Sequence, residues 1–375
     1  MNIGFDAKRV FQNYTGLGNY GRTLLRNLIL LYPQQNYHLY APAIRRNKET
    51  EDFFVNTRFK IRNTLSCCKP CWRSFTIKKD LVKDKIDLYH GLSNEIPVGM
   101  KSVKSIVTIH DLIFKVYPET YPAIDRRIYD LKFGHACRNA DLIIAISEST
   151  KKDIIRFYQI HPEKIAVVYQ PVNPLFYSPQ NSEEADKVVA LHRLPKDFIL
   201  YVGSITERKN VKTLLSAYAL LDNYSQIPMV IVGRGKRYKK ECIELAFKLG
   251  ISEKLYWIDS VYDNRHIQSL LQKAKLVVYP SLYEGFGLPV VEALLSETPV
   301  ITSRISSMPE AVGNDHLLAD PENIEEWKFL MDKVITNDSY RKSALNQSVN
   351  YVKKTFDPQK LTHQMMGLYK KVLSV

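Results

Sequence analysis

No apolar run in the 375-residue chain approaches the roughly 18 residues that a membrane-spanning helix needs. The first residues, Met1-Asn2-Ile3-Gly4-Phe5-Asp6, lack the basic and apolar regions of a secretory signal, so a cytoplasmic protein is expected. Five cysteines are too few for a disulfide scaffold in a chain of this length. Three of them crowd together as Cys67, Cys68 and Cys71, and Cys68-Lys69-Pro70-Cys71 is literally C-x-x-C. Neither the strand-to-helix context of a redox motif nor two further ligands at zinc spacing accompany it, so these read as ordinary thiols. No Asp-x-Asp occurs, and with it goes the carboxylate pair that chelates a metal in many transferases. With 45% apolar and 25% charged residues, disorder and collagen-like fibres are excluded.

Acidic residues are also in deficit, 39 against 53 basic ones, which gives a net charge of +14. Such an excess attracts polyanions: nucleic acid, anionic head groups or phosphorylated substrates. It is densest over residues 56–85, where Arg58, Lys60, Arg62, Lys69, Arg73, Lys78, Lys79, Lys83 and Lys85 face Asp80 and Asp84. Phe59, Ile61, Leu65, Trp72, Phe75 and Ile77 are interleaved with them, a mixture that suits a membrane interface. A solvated surface over an ordinary strand and helix gives the same pattern. If the segment docks, neutralising Lys78, Lys79, Lys83 and Lys85 lowers liposome binding.

Strand and helix alternate through both halves. Short apolar runs at 2–6, 37–40, 105–109 and 142–146 read as strands, with helical periodicity over 17–31. A second set lies at 198–203, 229–233, 255–257, 276–279 and 300–302, and the tail from residue 323 is mostly helical with a break at Asp357-Pro358. Residues 171–195, with Pro171, Pro174, Pro179 and Pro195, read as the connection between domains. The fold class is α/β, with two doubly wound parallel sheets facing across a cleft. At about 150 residues per domain, two domains fit the length.

Gly16-Leu17-Gly18-Asn19-Tyr20-Gly21 matches G-x-G-x-x-G. It does not follow the first strand directly, and Tyr40-Ala41-Pro42-Ala43 stands where an acidic ribose ligand should close the second strand. A nicotinamide-dependent oxidoreductase is therefore disfavoured, although glycines before a helix can still approach a phosphate.

The most informative stretch is Pro280-Ser281-Leu282-Tyr283-Glu284-Gly285-Phe286-Gly287-Leu288-Pro289-Val290-Val291-Glu292, which follows a strand and opens a helix with proline near its first position. Glu284 lies before the helix and Glu292 one turn inside it, so both carboxylates can face one ligand. A carboxylate accepts hydrogen bonds from vicinal hydroxyls, at roughly 1.5–3 kcal/mol each. Arg208 and Lys209 follow another strand directly before a helix, as fixed cations for a phosphate.

Glu284-x7-Glu292 with the enclosed glycine loop resembles the donor-site motif of glycosyltransferase family 4, retaining enzymes of GT-B fold. The resemblance extends through Ile109-His110-Asp111-Leu112, Ala140-Asp141-Leu142-Ile143-Ile144-Ala145-Ile146-Ser147, Tyr201-Val202-Gly203 to Asn210, and Met308-Pro309-Glu310-Ala311-Val312-Gly313. It implies an acceptor-side domain over 1–175, a nucleotide-sugar domain over 176–355, and a helix in 356–375 packing back toward the first. Arg208 and Lys209 would hold the donor diphosphate, and Glu284 the transferred hexose. Glu292 would hold the ribose, with Phe286, Gly287 and Leu288 contacting sugar and phosphate. Gly16 and Gly18 would close on the diphosphate, and His110 would stand near the reacting carbon. His90 is a candidate for the acceptor side. The family often carries an arginine where this chain has Ser204, so the clamp would rest on Arg208 and Lys209.

The reaction so implied moves a hexose, with mannose the best guess, from a nucleotide diphosphate sugar to a hydroxyl of a glycan or lipid-linked oligosaccharide. Retention is expected, with no metal and no cofactor. GDP-mannose is the favoured donor, with UDP-sugars the alternative, and peripheral contact with an anionic membrane at the inner face of the plasma membrane is expected. A sugar-nucleotide epimerase of the same fold is a competing reading. A nucleic-acid-binding protein is another, but no helix-turn-helix, zinc finger or RNP-like segment supports it, and nucleic acid is not an expected partner.

Overall fold

In a computed structural model, residues 1–13, 16–63, 72–261 and 263–374 are described. They form two units: 1–171 joined by 356–375, and 172–355. The chain thus returns to its first unit after completing the second. The break falls at Pro171/Val172, a few residues before the expected 175/176, because the turn Pro174–Tyr177 and the helix Ser182–Leu191 pack with the second unit. Gln268 fastens that turn, its Nε2 donating to the Leu175 carbonyl at 2.8 Å.

The first unit holds seven parallel strands: β1 (Asn2–Asp6), β2 (Asn36–Ala41), β3 (Phe59–Asn63), β4 (Leu88–Gly91), β5 (Lys104–Ile109), β6 (Leu142–Ala145) and β7 (Ile165–Val167). Their order is β3-β2-β1-β4-β5-β6-β7. The second holds β8 (Ile199–Val202), β9 (Met229–Val232), β10 (Leu255–Ile258), β11 (Leu276–Tyr279), β12 (Val300–Ser303) and β13 (Leu318–Ala319), ordered β10-β9-β8-β11-β12-β13. Strands such as Leu-Val-Val-Tyr of β11 are buried along their whole length, as a parallel sheet covered on both faces requires. In both sheets the order reverses once, between β1 and β4 and between β8 and β11. At such a switch point a crevice opens beyond the carboxyl ends of the strands, and ligands of open α/β sheets bind there.

The helix Pro358–Leu373 closes the core of the first unit. Tyr369 on that helix hydrogen-bonds His90 Nδ1 at 2.7 Å, and His90 Nε2 meets Thr108 Oγ1 at 2.8 Å. Burial pushes the His90 ring down to about 3, so it is neutral at pH 7. His90 is thus a core side chain satisfied on both nitrogens. It does not face an acceptor, which corrects that reading.

The described part of the basic segment 56–85 is divided between core and surface. Phe59, Trp72 and Ile77 are buried in the core, as is Arg73. Lys79, Lys83 and Lys85 are exposed, and so are Phe75 and Val82. Leu65, Lys69 and the three clustered cysteines, Cys67, Cys68 and Cys71, lie outside the described residues. Cys137 and Cys242 are buried free thiols. Among the described residues no helix is long and apolar enough to cross a membrane.

Candidate active site

The switch point of the second sheet gathers Arg208, Lys209 and Glu284. Arg208 and Lys209 occupy a short 3-10 turn, Glu207–Lys209, beyond β8. Glu284 lies in the loop beyond β11, and the Leu282 amide donates to the Arg208 carbonyl at 2.8 Å, joining the two loops. Arg208 approaches Glu284 Oε1 at 2.9 Å, and Lys209 pairs with the same oxygen. Ser281 donates to it at 2.6 Å. Lys209 also bonds the hydroxyl of Tyr279, and Arg208 the carbonyl of Tyr283. Everything converges on Oε1. Oε2 has no partner among the described residues and is left to accept from a ligand.

Burial by itself raises the Glu284 carboxyl, but Lys209 and Arg208 outweigh it and hold the group below its ordinary range. The cluster is therefore two cations on one carboxylate, with a surplus positive charge. That surplus suits a diphosphate, and the open carboxylate oxygen suits a sugar hydroxyl.

Glycine and serine shape the loop around Glu284. Gly287 has φ +105°, in the left-handed region, and a Cβ there would stand 2.4 Å from Met308 Cε. It caps the helix Leu288–Leu295, which has no side-chain cap and carries proline in its first turn. Ser307 Oγ lies 2.9 Å from the carbonyl oxygens of both Glu284 and Phe286 and shares its single proton between them, and the Glu284 amide donates to Ser306 Oγ at 3.0 Å. Ser306 itself has φ +52°. Sequence reasoning passed over Tyr279, Ser281, Ser306 and Ser307; a serine pair directly before Met308-Pro309 was the available signal.

Phe286 is buried and Leu288 half-buried. Glu292 is not part of the cluster. Its half-buried carboxyl makes no ion pair among the described residues, and desolvation alone pushes it up to about 7. A carboxylate held without a partner is what a ligand's diol would satisfy.

A cavity of about 920 Å³ opens beyond β8, β9 and β10, bounded by Thr206, Glu207, Arg234, Gly235, Tyr238 and Asp259 among others. It therefore begins directly beside Arg208 in the chain. Close backbone approach builds it: a Cβ on Gly233 would stand 1.8 Å from the Gly203 carbonyl oxygen, and one on Gly235 2.7 Å from that of Ile205. The sequence reading missed this cavity, although Gly233-Arg234-Gly235 after a strand marked it.

In the first unit the switch point carries a second ionic cluster, also missed. Arg73 Nε lies 2.6 Å from Asp6 Oδ2, and its NH1 3.0 Å from Glu95 Oε1. Lys132 meets the other Glu95 oxygen at 3.0 Å. Burial opposes the Arg73 charge, but Asp6 and Glu95 together raise its affinity for the proton further. Nearby, His110 Nε2 donates to the Leu92 carbonyl at 2.8 Å, Nδ1 accepts from Gln170 at 2.9 Å, and its amide donates to Asn94 Oδ1 at 2.8 Å. Burial pushes the ring down to about 4, so His110 is neutral and braces the loop that bears Glu95.

Gly16 opens the helix Gly16–Leu31 and has open space around it. Gly18 lies in the first turn, where a Cβ would stand 1.8 Å from the Asn13 carbonyl oxygen, and Arg22 grips that same carbonyl at 2.8 Å. Close approach of backbone explains Gly18. The rest of the loop, Tyr14 and Thr15, lies outside the described residues.

Residues 182–351 match the pattern of Glycosyl transferases group 1, and residues 16–175 that of Glycosyltransferase Family 4. The chain belongs to glycosyltransferase family 4. This glycosyltransferase is 28% identical to an O-antigen chain mannosyltransferase B of Escherichia coli, over 99% of this chain and 100% of that protein. It is 27% identical to the O-antigen chain mannosyltransferase RfbU of Salmonella typhimurium, over 70% of this chain and 67% of that one. Among solved structures, HepE of Anabaena in complex with UDP and glucose superposes with a TM-score of 0.75 at 16% identity, over 99% of this chain and 100% of HepE. The fold is thus GT-B, two Rossmann-like domains each with its own parallel sheet, and the glycosyltransferase is a hexosyltransferase.

Proposed function

We propose that this glycosyltransferase moves mannose from GDP-mannose to a hydroxyl of a glycan or lipid-linked oligosaccharide in polysaccharide synthesis, with retention at the anomeric carbon and without a metal. The observation that carries the reading is the convergence of Arg208 and Lys209 on one oxygen of Glu284 at a switch point. The relatives' O-antigen mannosyltransferase names support mannose as the sugar.

The hard step is departure of the nucleotide diphosphate, which leaves positive character on the sugar. Arg208, Lys209 and the start of the helix Leu288–Leu295 stabilise the departing negative charge from fixed positions. Glu284 Oε2 accepts a hydroxyl of the transferred hexose, and Glu292 grips the ribose diol. The nucleoside takes the cavity beyond β8–β10. The acceptor oxygen attacks the anomeric carbon on the face that the phosphate leaves, the carbon–phosphate-oxygen bond breaks, and the acceptor proton passes to the departing phosphate. In the first unit Glu95, paired with Arg73 and Lys132, lies on the loop beyond β4. His110 acts through position, holding that loop.

A panel of nucleotide sugars read by thermal shift tests this. A ligand at 100 times its dissociation constant adds about 2.7 kcal/mol of stability. GDP-mannose should stabilise most, and GDP more than UDP. A larger response to UDP-glucose than to GDP-mannose overturns the donor. Interconversion of donor sugars without any acceptor would instead establish an epimerase.

A further inference from the structure

The cavity that begins beside Arg208 carries a carboxylate that the cationic cluster does not use. Asp259 is the first residue beyond β10, and its side chain is 83% exposed. One of its oxygens is held: Lys239, on the helix Arg237–Lys248, brings Nζ to 2.5 Å from Oδ1. Oδ2 has no partner among the described residues. The lysine is itself fixed in place. It is buried, its ammonium lies 5.4 Å from the centre of the Trp257 ring, and it reaches the Gly233 carbonyl at 3.4 Å. Lys239 and, after it, Arg234 keep the Asp259 carboxyl below its ordinary range, so it is charged at pH 7.

The position of this carboxylate in the sheet says what it can reach. Arg208 and Lys209 stand beyond β8, and β10 lies two strands away in the order β10-β9-β8. At about 4.8 Å between strands, Asp259 is displaced from the cationic cluster by about 10 Å across the sheet. That is the reach from a diphosphate, over its ribose, to the base. Glu207, the other acid of the lining, belongs to the turn that bears the two cations. Asp259 is therefore the acidic group at the base end of the cavity.

We infer that Asp259 selects guanine as the base of the donor nucleotide, with Lys239 as the residue that positions it. The inference rests on the proposed nucleoside site and adds the side chain that chooses the base. Guanine presents N1–H and the 2-amino group side by side, two donors that match the two oxygens of a carboxylate. Each oxygen accepts more than one hydrogen bond, so Oδ1 can serve Lys239 and the base together. Arg234, whose guanidinium lies 3.3 Å from Ser260 Oγ on the same wall, suits the neighbouring O6 acceptor. Uracil presents one N–H between two carbonyls, so the same carboxylate would meet one donor and repel an acceptor. A site built to take a hydrogen bond rejects the analogue that lacks it, because its own polar group is then left unpaired.

The test is isothermal titration of the full chain with GDP, IDP and UDP, IDP being GDP without the 2-amino group. The parent should bind GDP about tenfold or more tightly than IDP, the worth of one hydrogen bond to a charged acceptor. UDP should bind more weakly than GDP. D259N keeps the size of the side chain and an acceptor for Lys239, and its preference for GDP over IDP should shrink to about threefold or less. D259A should show no such preference. The ratio controls for folding, since both nucleotides meet the same protein. Equal affinity of the parent for GDP and IDP overturns the inference, and that measurement needs no variant. Variants that bind both nucleotides more weakly but keep the parent's ratio also overturn it, the outcome of a purely structural Lys239–Asp259 pair. Tighter binding of UDP than of GDP by the parent overturns this inference and the GDP donor together. An unchanged ratio in the variants, with GDP still preferred by the parent, overturns this inference alone.

Discussion

Replacing Glu284 by glutamine removes the carboxylate that Arg208 and Lys209 share and leaves two cations in a buried site. Breaking a buried ion pair at one partner costs about 3–5 kcal/mol. Glutamine keeps the size and can still accept from Ser281, so the lower end, about 3 kcal/mol, applies. The unit concerned spans residues 172–355. For a domain of that size 1 kcal/mol shifts the melting temperature by about 2–4 °C, so E284Q should melt about 6–12 °C below the parent. Added GDP should recover more in the variant than in the parent, because its phosphates supply the missing negative charge. Turnover should fall about 10- to 150-fold, the worth of one lost hydrogen bond from a hydroxyl to a charged acceptor. Differential scanning fluorimetry with and without GDP reads the first two effects. An unchanged melting temperature, or an equal gain from GDP in both proteins, refutes the ion cluster as a phosphate clamp.

Glu292 offers a pH test. Its folded-state value of about 7 lies above the ordinary 4.5, so the folded protein holds a proton that the unfolded chain has released. Stability from this group therefore declines as pH rises from about 4.5 through 7, by about 3 kcal/mol in all. E292Q should accordingly gain stability over the parent at pH 8 and match it at pH 4, in denaturant midpoints, while its donor affinity falls at pH 8. A parent-to-variant difference that does not change with pH sinks the assignment. In the first unit, R73M strands the Asp6 and Glu95 carboxylates and should cost about 3–5 kcal/mol, with R73K restoring part of it because lysine lacks the fork that spans both. A denaturant midpoint equal to the parent's would show that the cluster adds nothing.

The strands legible in the sequence were those buried on both faces, such as β8, β9 and β11, whose apolar runs need no partner to be recognised. β3 was not, because as an edge strand it reads Phe-Lys-Ile-Arg-Asn and exposes most of its side chains. β4 was hidden by chemistry: it is fully buried but contains Tyr89 and His90, and the His90 ring is met by Thr108 and by Tyr369 of the last helix. β7 and β13 are simply short. In the second unit, Arg208, Lys209 and Glu284 each sit just beyond a readable strand, so local pattern located them. Their mutual pairing was not readable, since it depends on β8 lying next to β11. The same cause concealed Asp6, Arg73 and Glu95, which meet because β1 and β4 are neighbours. Arg73 looked like surface charge because nothing near it in the sequence announces two buried carboxylates.

The return of the last helix to the first unit bears on how the protein is made. Leu361, Met365, Met366 and Tyr369 fill a core whose other walls come from the first unit's opening segment, Ile3 to Val168. A ribosome adds about 5–20 residues per second. The 184 residues of 172–355 must emerge before that last wall exists, a wait of about 10–40 s at those rates. Throughout that interval the nascent first unit exposes an unfinished apolar surface, while the second, continuous in sequence, can complete itself earlier. Order of synthesis and order of folding are therefore opposed in this chain, and holding chaperones would find their substrate at its beginning.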